Sequence, residues 1–320
     1  MKLTVLFALL VFGGCLTRTE IPTEFPTPPP APAVTPLPKL ELKRDADLEK
    51  QFAEIAKAVK GKVGAAAVVL ETGDAALLNA DGHYPMQSVY KLPISMAMME
   101  QIRQEDHALD EQIGVTPADF VRQGQASPLR DKNPNGGAFT IRELIRLALI
   151  ESDGTASDVL LRVLGGPNEV QQYLSQIGIE DMKVVNTEKE MGADWNVQYQ
   201  NWATPLAAVE LLRLMRDKWV QNTGQEEKEL LLTSFMQSAV TGLNRIKGLL
   251  PKGTVVAHKT GTGGTKDGMT SATNDIGIID QPNGKHLAVA VFVSDSPADD
   301  KTRDAVIARI AKAAWDKWSK

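Results

Sequence analysis

The chain of 320 residues has little of what metal sites and disulfides need. Its one cysteine, Cys15, cannot form an internal disulfide. Its four histidines show neither the H-x-H nor the H-E-x-x-H spacing that is typical of zinc-binding sequences. The sequence therefore predicts chemistry that uses neither a metal ion nor another cofactor.

Positive charge and aromatic residues are also not in excess. The formal net charge is −5, and aromatic side chains make up 5% of the chain. Nucleic-acid-binding proteins usually present a basic surface, so we expect no nucleic-acid partner. With 43% hydrophobic residues, the composition is that of a globular protein with a sizeable core. A monomer that binds a small molecule is the default expectation.

The amino terminus lacks a hydrophobic run long enough to cross a bilayer. Residues 3–12 are apolar and follow Lys2, which is typical of a secretory signal. Cys15 comes directly after two glycines, and this context resembles the site at which bacterial lipoproteins are cleaved and lipidated. We expect residues 1–14 to be a signal peptide and Cys15 to anchor the exported protein in the periplasm or cell envelope. An ordinary signal peptide with an incidental cysteine is the alternative.

A proline-rich segment separates this signal from the rest of the chain. Prolines crowd residues 22–38, and proline disfavours both helix and sheet ladders while favouring an extended backbone. Residues 15–41 are therefore predicted to be a tether. The remaining residues, 42–320, are enough for one large catalytic domain or for two lobes that share a cleft.

Strand patterns occur near both ends of the catalytic domain. Residues 64–70 and 75–78 flank a turn, and residues 275–280 and 286–293 flank Asn283-Gly284, so each pair predicts a hairpin. Residues 254–258 predict another strand.

Helical patterns fill the middle of the chain. Thr140 and Glu143 form the capping-box pattern ahead of an apolar run. The helices are predicted at residues 47–59, 141–150, 156–164, 205–216 and 302–318. We therefore predict an α+β fold, in which an antiparallel sheet built from both chain ends is flanked by helices and a helical lobe spans roughly residues 90–240.

Three short polar motifs carry the chemistry. Ser88 and Lys91 form an S-x-x-K motif at the start of a predicted helix, one turn apart. A lysine with a lowered pKa can take the proton of a serine hydroxyl and make it a nucleophile. Ser152 follows the helix of residues 141–150, where its hydroxyl can relay a proton. Taken alone, each motif also fits a helix cap.

The third motif is Lys259-Thr260-Gly261, at the end of the strand that starts at residue 254. Lysine attracts an anionic group, and the glycine lets a substrate approach the backbone closely. Thr262 follows directly. A strand end that leads into a flexible loop is the alternative interpretation.

In this order and at these separations, the motifs resemble those of penicillin-reactive serine enzymes. From about residue 45 to the carboxyl terminus, the chain is similar to the class A serine β-lactamases. Residues 198–205 and 248–251 look like a cephalosporin-hydrolysing branch of that family. The resemblance implies a β-lactam substrate, an acyl-enzyme on a serine, and resistance to these antibiotics.

The resemblance also implies roles for single residues. Ser88 would be the nucleophile, Lys91 its proton acceptor and Ser152 the relay to the leaving nitrogen. Glu188 would activate the water that hydrolyses the acyl-enzyme, with Glu190 as the next candidate. Which group first deprotonates Ser88, Lys91 or Glu188 acting through water, stays open.

Further roles concern substrate binding. Lys259, Thr260, Gly261 and Thr262 would bind the substrate carboxylate and carbonyl, and the amides of Ser88 and Thr262 would form the oxyanion hole. Arg245 matches a position from which a guanidinium assists carboxylate binding, with a surface arginine as the alternative.

Two residues depart from the family pattern. Gly154 replaces an asparagine that would bind the amide of the substrate side chain, and Gly192 stands where an asparagine helps to hold the hydrolytic water. Restoring asparagine at position 154 is therefore expected to favour substrates that carry this amide.

Two other functions remain as alternatives. A penicillin-binding D-Ala-D-Ala peptidase shares the serine motifs but lacks the loop glutamate. A catalytically inert envelope lipoprotein would suit Cys15 and the tether, but it would not explain the retained Ser88, Lys91 and Lys259.

Overall fold

The computed structural model of the protein describes residues 40–220 and 226–320. They form the α+β fold that the sequence predicts. The strands are β1 (Lys43–Arg44), β2 (Lys62–Val69), β3 (Asp74–Leu78), β4 (Tyr84–Pro85), β5 (Gln112–Val115), β6 (Gly137–Thr140), β7 (Met182–Lys183), β8 (Trp202–Ala203), β9 (Val256–Thr262), β10 (Thr265–Lys266), β11 (Met269–Asp280) and β12 (His286–Ser296).

The helices alternate with short helical turns. They are α1 (Ala46–Ala56), α2 (Lys91–Arg103), α3 (Pro128–Lys132), α4 (Ile141–Arg146), α5 (Gly154–Leu164), α6 (Pro167–Gln176), α7 (Glu188–Met191), α8 (Pro205–Val220), α9 (Glu226–Gln237) and α10 (Asp300–Trp318). The 3₁₀ turns are Lys57–Val59, Gln87–Tyr90, Pro117–Asp119, Val197–Tyr199 and Ile246–Leu249, and a π-helical turn spans Leu147–Glu151. None of the helices in the described residues is long and apolar enough to cross a membrane.

The main sheet joins the two ends of the described chain. Its order is β1-β3-β2-β12-β11, and β9 and β10 both pair with the outer edge of β11. The pairs are antiparallel except for β1 with β3, which is parallel. Both predicted hairpins are confirmed, because β2 pairs with β3 and β11 pairs with β12.

Both faces of this sheet are covered by helices. Alternate residues of a strand point to opposite faces. On β2, Ala66 and Val68 pack with the helical lobe, whereas Ala65, Ala67 and Val69 pack with α1 and α10. The sheet therefore separates two apolar cores, and the nearly continuous apolar sequence of β2 follows from burial on both sides.

Capping residues set several helix boundaries, and one of these caps was predicted. The Thr140 hydroxyl accepts a bond from the amide of Glu143, and the capping box is confirmed. The Thr204 hydroxyl caps α8 in the same way, and Gly165 ends α5 with a φ of +100°. The helix predicted from Ser88 begins instead with a 3₁₀ turn, and the helix after Thr140 ends in a π-helical turn.

Two small sheets were not predicted. β4, β8 and β7 form one of them, and β5 with β6 forms the other. The strands of the first have two residues each, so they have no periodic pattern to detect. The signal peptide, Cys15 and nearly all of the tether lie outside the described residues, and their boundaries stay predictions.

Candidate active site

Ser88 lies in the 3₁₀ turn that precedes α2, where it is half-buried at the wall of a cleft. The turn is tied to the sheet by Asn274 on β11, whose amide nitrogen donates to the carbonyl oxygens of Pro85 at 2.8 Å and Met86 at 3.1 Å. The residue before the serine, Gln87, has a φ of +48°, which is uncommon for a residue other than glycine. The turn therefore has a fixed and partly strained geometry next to the nucleophile candidate.

Gly261 brings β9 against this turn. A Cβ at this position would overlap the carbonyl oxygen of Met86 and would lie 3.3 Å from the amide nitrogen of Ser88. Glycine is thus required here by close approach. The contact sets the amide of Ser88 beside the strand end that carries Thr262.

Lys91 is the first residue of α2, and its side chain is only 1% exposed. Its Nζ donates a bond of 2.7 Å to the carbonyl oxygen of Ser152 and lies 3.4 Å from Oε2 of Glu188. Ser152 has a φ of +59°, a left-handed conformation that turns its backbone toward the lysine. Residues that are far apart in the sequence therefore meet at one ammonium group.

Ser152 also contacts the third motif. The Nζ of Lys259 donates a bond of 2.9 Å to its hydroxyl oxygen and one of 3.0 Å to the carbonyl oxygen of Thr260. Lys259 is fully buried, and this burial, followed by the positive charge of Lys91, holds the pKa of Lys259 well below its usual range. The structure thus brings all three motifs together around Ser152.

Glu188 and Glu190 have different surroundings. Glu188 lines the cleft, and its Oε2 also accepts a bond of 3.2 Å from the hydroxyl of Tyr90. Burial, and then the charges of Glu188 and Asp158, raise the pKa of Tyr90, so that it remains a donor. Glu190 is exposed and accepts from the amide and hydroxyl of Thr187 in a capping box. The geometry favours Glu188 as the base.

The backbone of Glu188 is held on both sides. Oδ1 of Asp158 accepts from the amide of Glu188 at 2.7 Å, and Oδ2 accepts from the amide of Lys189 at 2.9 Å. Nε2 of Gln125 donates to the carbonyl oxygen of Glu188. Burial raises the pKa of Asp158 to about 7, although the two backbone amides act in the opposite direction.

Arg245 is buried, which contradicts the surface alternative. Its guanidinium donates to the hydroxyl of Thr262 at 2.8 Å, to the carbonyl oxygens of Gly261 at 3.2 Å and Asn274 at 2.9 Å, and to Asp304 at 2.8 Å. The arginine therefore supports the end of β9 through the carbonyl oxygen of Gly261 and orients the hydroxyl of Thr262. Thr260 contacts Thr241 through their hydroxyl oxygens, at 2.6 Å.

The two departures from the family pattern lie beside Glu188. Gly154 is buried as the first residue of α5, and its amide donates to the carbonyl oxygen of Ala126 at 2.9 Å. A Cβ there would lie 2.8 Å from Cγ of Glu188. Gly192 lines the cleft against Gln125.

The cleft has a volume of about 610 Å³ and a mouth that opens to solvent. Sequence reasoning assigned no role to several of its lining residues, of which only Gln198 belongs to a motif, that of residues 198–205. They are Gln87, Gln125, Trp195, Gln198 and Thr241. Gln198 accepts bonds from Gln87 at 2.7 Å and from Ser271 at 2.6 Å, so it links the loop after α7 to the 3₁₀ turn that contains Ser88 and to β11.

The histidines take no part in this site. His258 precedes Lys259 but is fully buried, and its Nδ1 lies 3.0 Å from both carboxylate oxygens of Asp275. Within residues 40–220 and 226–320, no group of three or more histidine, cysteine or acidic side chains is arranged to hold a metal ion.

Comparisons with known proteins identify the family. Residues 47–318 match the family model that is described as "Beta-lactamase enzyme family". Beta-lactamase VEB-1 of Pseudomonas aeruginosa is 36% identical over 270 residues, which cover 84% of this chain and 90% of that protein. Extended-spectrum beta-lactamase PER-1 of the same organism is 38% identical over 269 residues, with coverage of 84% and 86%.

A solved structure gives the same result. The crystal structure of a β-lactamase from Chitinophaga pinensis is similar to this fold with a TM-score of 0.81 and 38% sequence identity. The similarity covers 85% of this chain and 99% of that chain. The chain belongs to the class A β-lactamases, enzymes that hydrolyse the β-lactam amide bond through a serine acyl-enzyme.

Proposed function

We propose that Ser88, Lys91, Ser152 and Glu188 carry out the two half-reactions of β-lactam hydrolysis. In the first, Oγ of Ser88 bonds to the carbonyl carbon of the substrate while its proton passes to a base. The carbon–nitrogen bond of the ring then breaks, and the nitrogen receives a proton through Ser152. The product of this step is an acyl ester on Ser88.

The second half-reaction releases this ester. Glu188 takes a proton from a water molecule that attacks the ester carbon, the bond to Oγ breaks, and Ser88 regains a proton. The product is an opened, inactive antibiotic. The 3.4 Å distance between Oε2 of Glu188 and Nζ of Lys91 supports a proton path between the two half-reactions.

The observation that carries this proposal is the position of Ser152. Its carbonyl oxygen accepts from Lys91 and its hydroxyl oxygen accepts from Lys259, so two lysines fix it at the wall that also holds Ser88. Either Lys91 or Glu188 acting through water can deprotonate Ser88, since Glu188 lines the cleft and the buried Lys91 contacts both Glu188 and Ser152.

We assign substrate binding to the end of β9. Lys259 and Thr260 would bind the carboxylate of the substrate, and the amides of Ser88 and Thr262 would stabilise the negative oxygen of the tetrahedral intermediate. Gly261 supports this assignment, because it permits the close approach of the strand to the 3₁₀ turn that contains Ser88. Arg245 would act through the hydroxyl of Thr262 and through its charge.

Cephalosporins are the substrate class that we propose. The relative PER-1 is named an extended-spectrum β-lactamase, and the sequence motifs at residues 198–205 and 248–251 agree with a cephalosporin-hydrolysing branch. The open cleft of about 610 Å³ has room for the bulky side chain of such substrates.

The experiment that tests the function is turnover of a chromogenic cephalosporin by the purified protein, with mass spectrometry of the enzyme during turnover. We expect steady turnover and a transient adduct on Ser88. Ser88→Ala should be folded and should show neither. A burst without turnover would instead indicate a slowly deacylating penicillin-binding enzyme, and no adduct at all would indicate an inert protein.

Export and lipidation are a separate proposal. The apolar run after Lys2 and the glycines before Cys15 support a signal peptide of residues 1–14 and a lipid on Cys15, and residues 15–41 would tether a monomeric domain of residues 42–320 to the membrane. Expression of the full gene in bacteria should give a membrane-bound, lipidated protein. Cys15→Ser should release or mislocalise it, and a soluble wild-type protein that begins beyond residue 15 would contradict lipidation.

A further inference from the structure

The backbone conformation of Gly192 does not require a glycine, but the space around the residue does. Its φ of −78° and ψ of −6° lie in the right-handed region, which every residue type adopts. A Cβ at this position would lie 2.5 Å from Oε1 and 2.6 Å from Nε2 of Gln125. The space that a side chain at position 192 would need is therefore filled by the Gln125 amide.

This amide is fixed by hydrogen bonds at both of its polar atoms. Nε2 donates to the carbonyl oxygen of Glu188, and Oε1 accepts from the amide of Arg122 at 3.0 Å. The carbonyl of Glu188 also accepts from the amide of Gly192 at 3.1 Å. Gln125 is thus bonded to Glu188, the first residue of this helical turn, and lies against Gly192, the residue at which the turn ends.

Gln125 and Asp158 bind the two polar backbone groups of Glu188, one at each side of the residue. Asp158 accepts from the amide of Glu188, whereas Gln125 donates to its carbonyl oxygen. α7 spans only Glu188–Met191, so it has few hydrogen bonds of its own and depends on such external partners. Loss of Gln125 would release one end of this turn.

Ala126, the residue after Gln125, lies against Gly154, the other position at which this chain lacks the asparagine of the family. The carbonyl oxygen of Ala126 accepts from the amide of Gly154, and it lies 3.2 Å from the position that a Cβ at Gly154 would take. Residues 125 and 126 therefore cover both positions at which this chain lacks an asparagine.

We propose that Gln125 is the positioning residue of deacylation: its amide, and not a side chain at position 192, sets the Glu188 carboxylate and the wall beside which the hydrolytic water lies. This proposal rests on the proposed function. With Lys91 as the base that deprotonates Ser88, it predicts that Gln125 matters for hydrolysis of the acyl-enzyme and not for its formation.

The test separates the rate constants of acylation and deacylation by stopped-flow measurement with a chromogenic cephalosporin. Gln125→Ala should slow deacylation about tenfold, as expected for the loss of one positioned hydrogen bond, and leave acylation within about twofold. Gly192→Ala should do the same, because its Cβ displaces the Gln125 amide. The double variant should be no slower than the worse single variant, since both remove the same contact.

Two controls separate positioning from simple anchoring. Arg122 ties the same segments, because its Nε donates to the carbonyl oxygen of Lys189 at 3.0 Å, but it does not line the cleft. Arg122→Ala should leave deacylation unchanged. Gly114→Ala adds a methyl group on β5 where nothing lies within 4 Å, and it should leave both rate constants and the unfolding temperature unchanged.

The outcomes are distinct. Equal losses in Gln125→Ala and Arg122→Ala, or additive losses in the double variant, would overturn the proposal. If Gln125→Ala does not fold, Gln125→Met keeps the volume without the donor, and unchanged deacylation in that variant would likewise overturn it. A wild-type protein that never forms an acyl-enzyme would refute the proposed function itself.

Discussion

Nζ of Lys259 donates a hydrogen bond of 2.9 Å to the hydroxyl oxygen of Ser152. Because the lysine supplies the proton of this bond, the proton of the hydroxyl itself points elsewhere and is available to the leaving nitrogen. The same lysine is fully buried beside the charge of Lys91, and its pKa is held well below the usual range of lysine. In the proposed mechanism, one residue thus links proton relay to the binding of an anionic substrate.

The lowered pKa of Lys259 predicts a pH effect on substrate binding. Lys259 loses its charge at a lower pH than an ordinary lysine, so the attraction for a substrate carboxylate should weaken as pH rises through that pKa. We expect kcat/KM for a cephalosporin to fall on the alkaline side, while kcat/KM for its carboxylate ester stays flat. Parallel profiles for acid and ester would contradict this role.

Glu188→Gln should separate the half-reactions. An amide cannot take a proton from water, so acyl-enzyme should accumulate while acylation through Lys91 proceeds. Glu190→Gln is the matched control, since Glu190 is exposed and serves only as a helix cap in the described structure. Mass spectrometry should show a lasting adduct in the first variant alone. A lasting adduct only in Glu190→Gln would mean that Glu190, and not Glu188, is the base of deacylation.

The parts of this fold that were predictable have local causes. The two hairpins follow from apolar strands around turn residues, and the Thr140 cap follows from a four-residue pattern. The motifs identify Ser88, Ser152 and Lys259 as candidate site residues without the fold, because each motif consists of residues that are close together in the sequence.

The unpredicted parts depend on contacts between distant residues. Ser152 and Lys259 are 107 positions apart, and only the assembled sheet and helical lobe show which atoms of each meet. Gln125 belongs to no motif, and its only trace in the sequence is the glycine at position 192. The buried environment of Arg245 was equally hidden, because an isolated arginine in a loop is usually exposed.

Asp158 should make stability depend on pH. Its pKa of about 7 lies above the ordinary value of 3.8, so the folded state binds the proton more tightly. This contribution to stability is complete below about pH 4 and is lost as pH rises through about 7. Asp158→Asn should flatten this part of the profile of unfolding free energy against pH. A profile with an unchanged slope would mean that Asp158 does not titrate there.

Arg245→Ala should affect both stability and substrate affinity. It leaves the carbonyl oxygens of Gly261 and Asn274 without their donor and Asp304 without its partner, so we expect a loss of about 2–4 kcal/mol in unfolding free energy. KM should rise several-fold, because Thr262 loses its support. Arg309→Ala, at an exposed position of α10, is the control. Lower stability with unchanged KM would make Arg245 purely structural.

Gly154→Asn tests whether the family mechanism can be restored by one residue. The sequence alone leads to an expected gain, since asparagine would bind the amide of the substrate side chain. The structure leads to the opposite expectation, because the new Cβ would lie 2.8 Å from Cγ of Glu188, 3.2 Å from the carbonyl oxygen of Ala126 and 3.3 Å from Cγ1 of Val121.

Glu188 is the neighbour that can move, so Gly154→Asn should displace the base and slow deacylation. Gly154→Ala carries the same Cβ without the amide, and it should lose about as much. Stopped-flow kinetics with one substrate that has the side-chain amide and one that lacks it would measure both effects. If Gly154→Asn raised kcat/KM for the first substrate alone and left deacylation intact, the cleft would have room for the asparagine, and Gly154 would be a substrate-binding position after all.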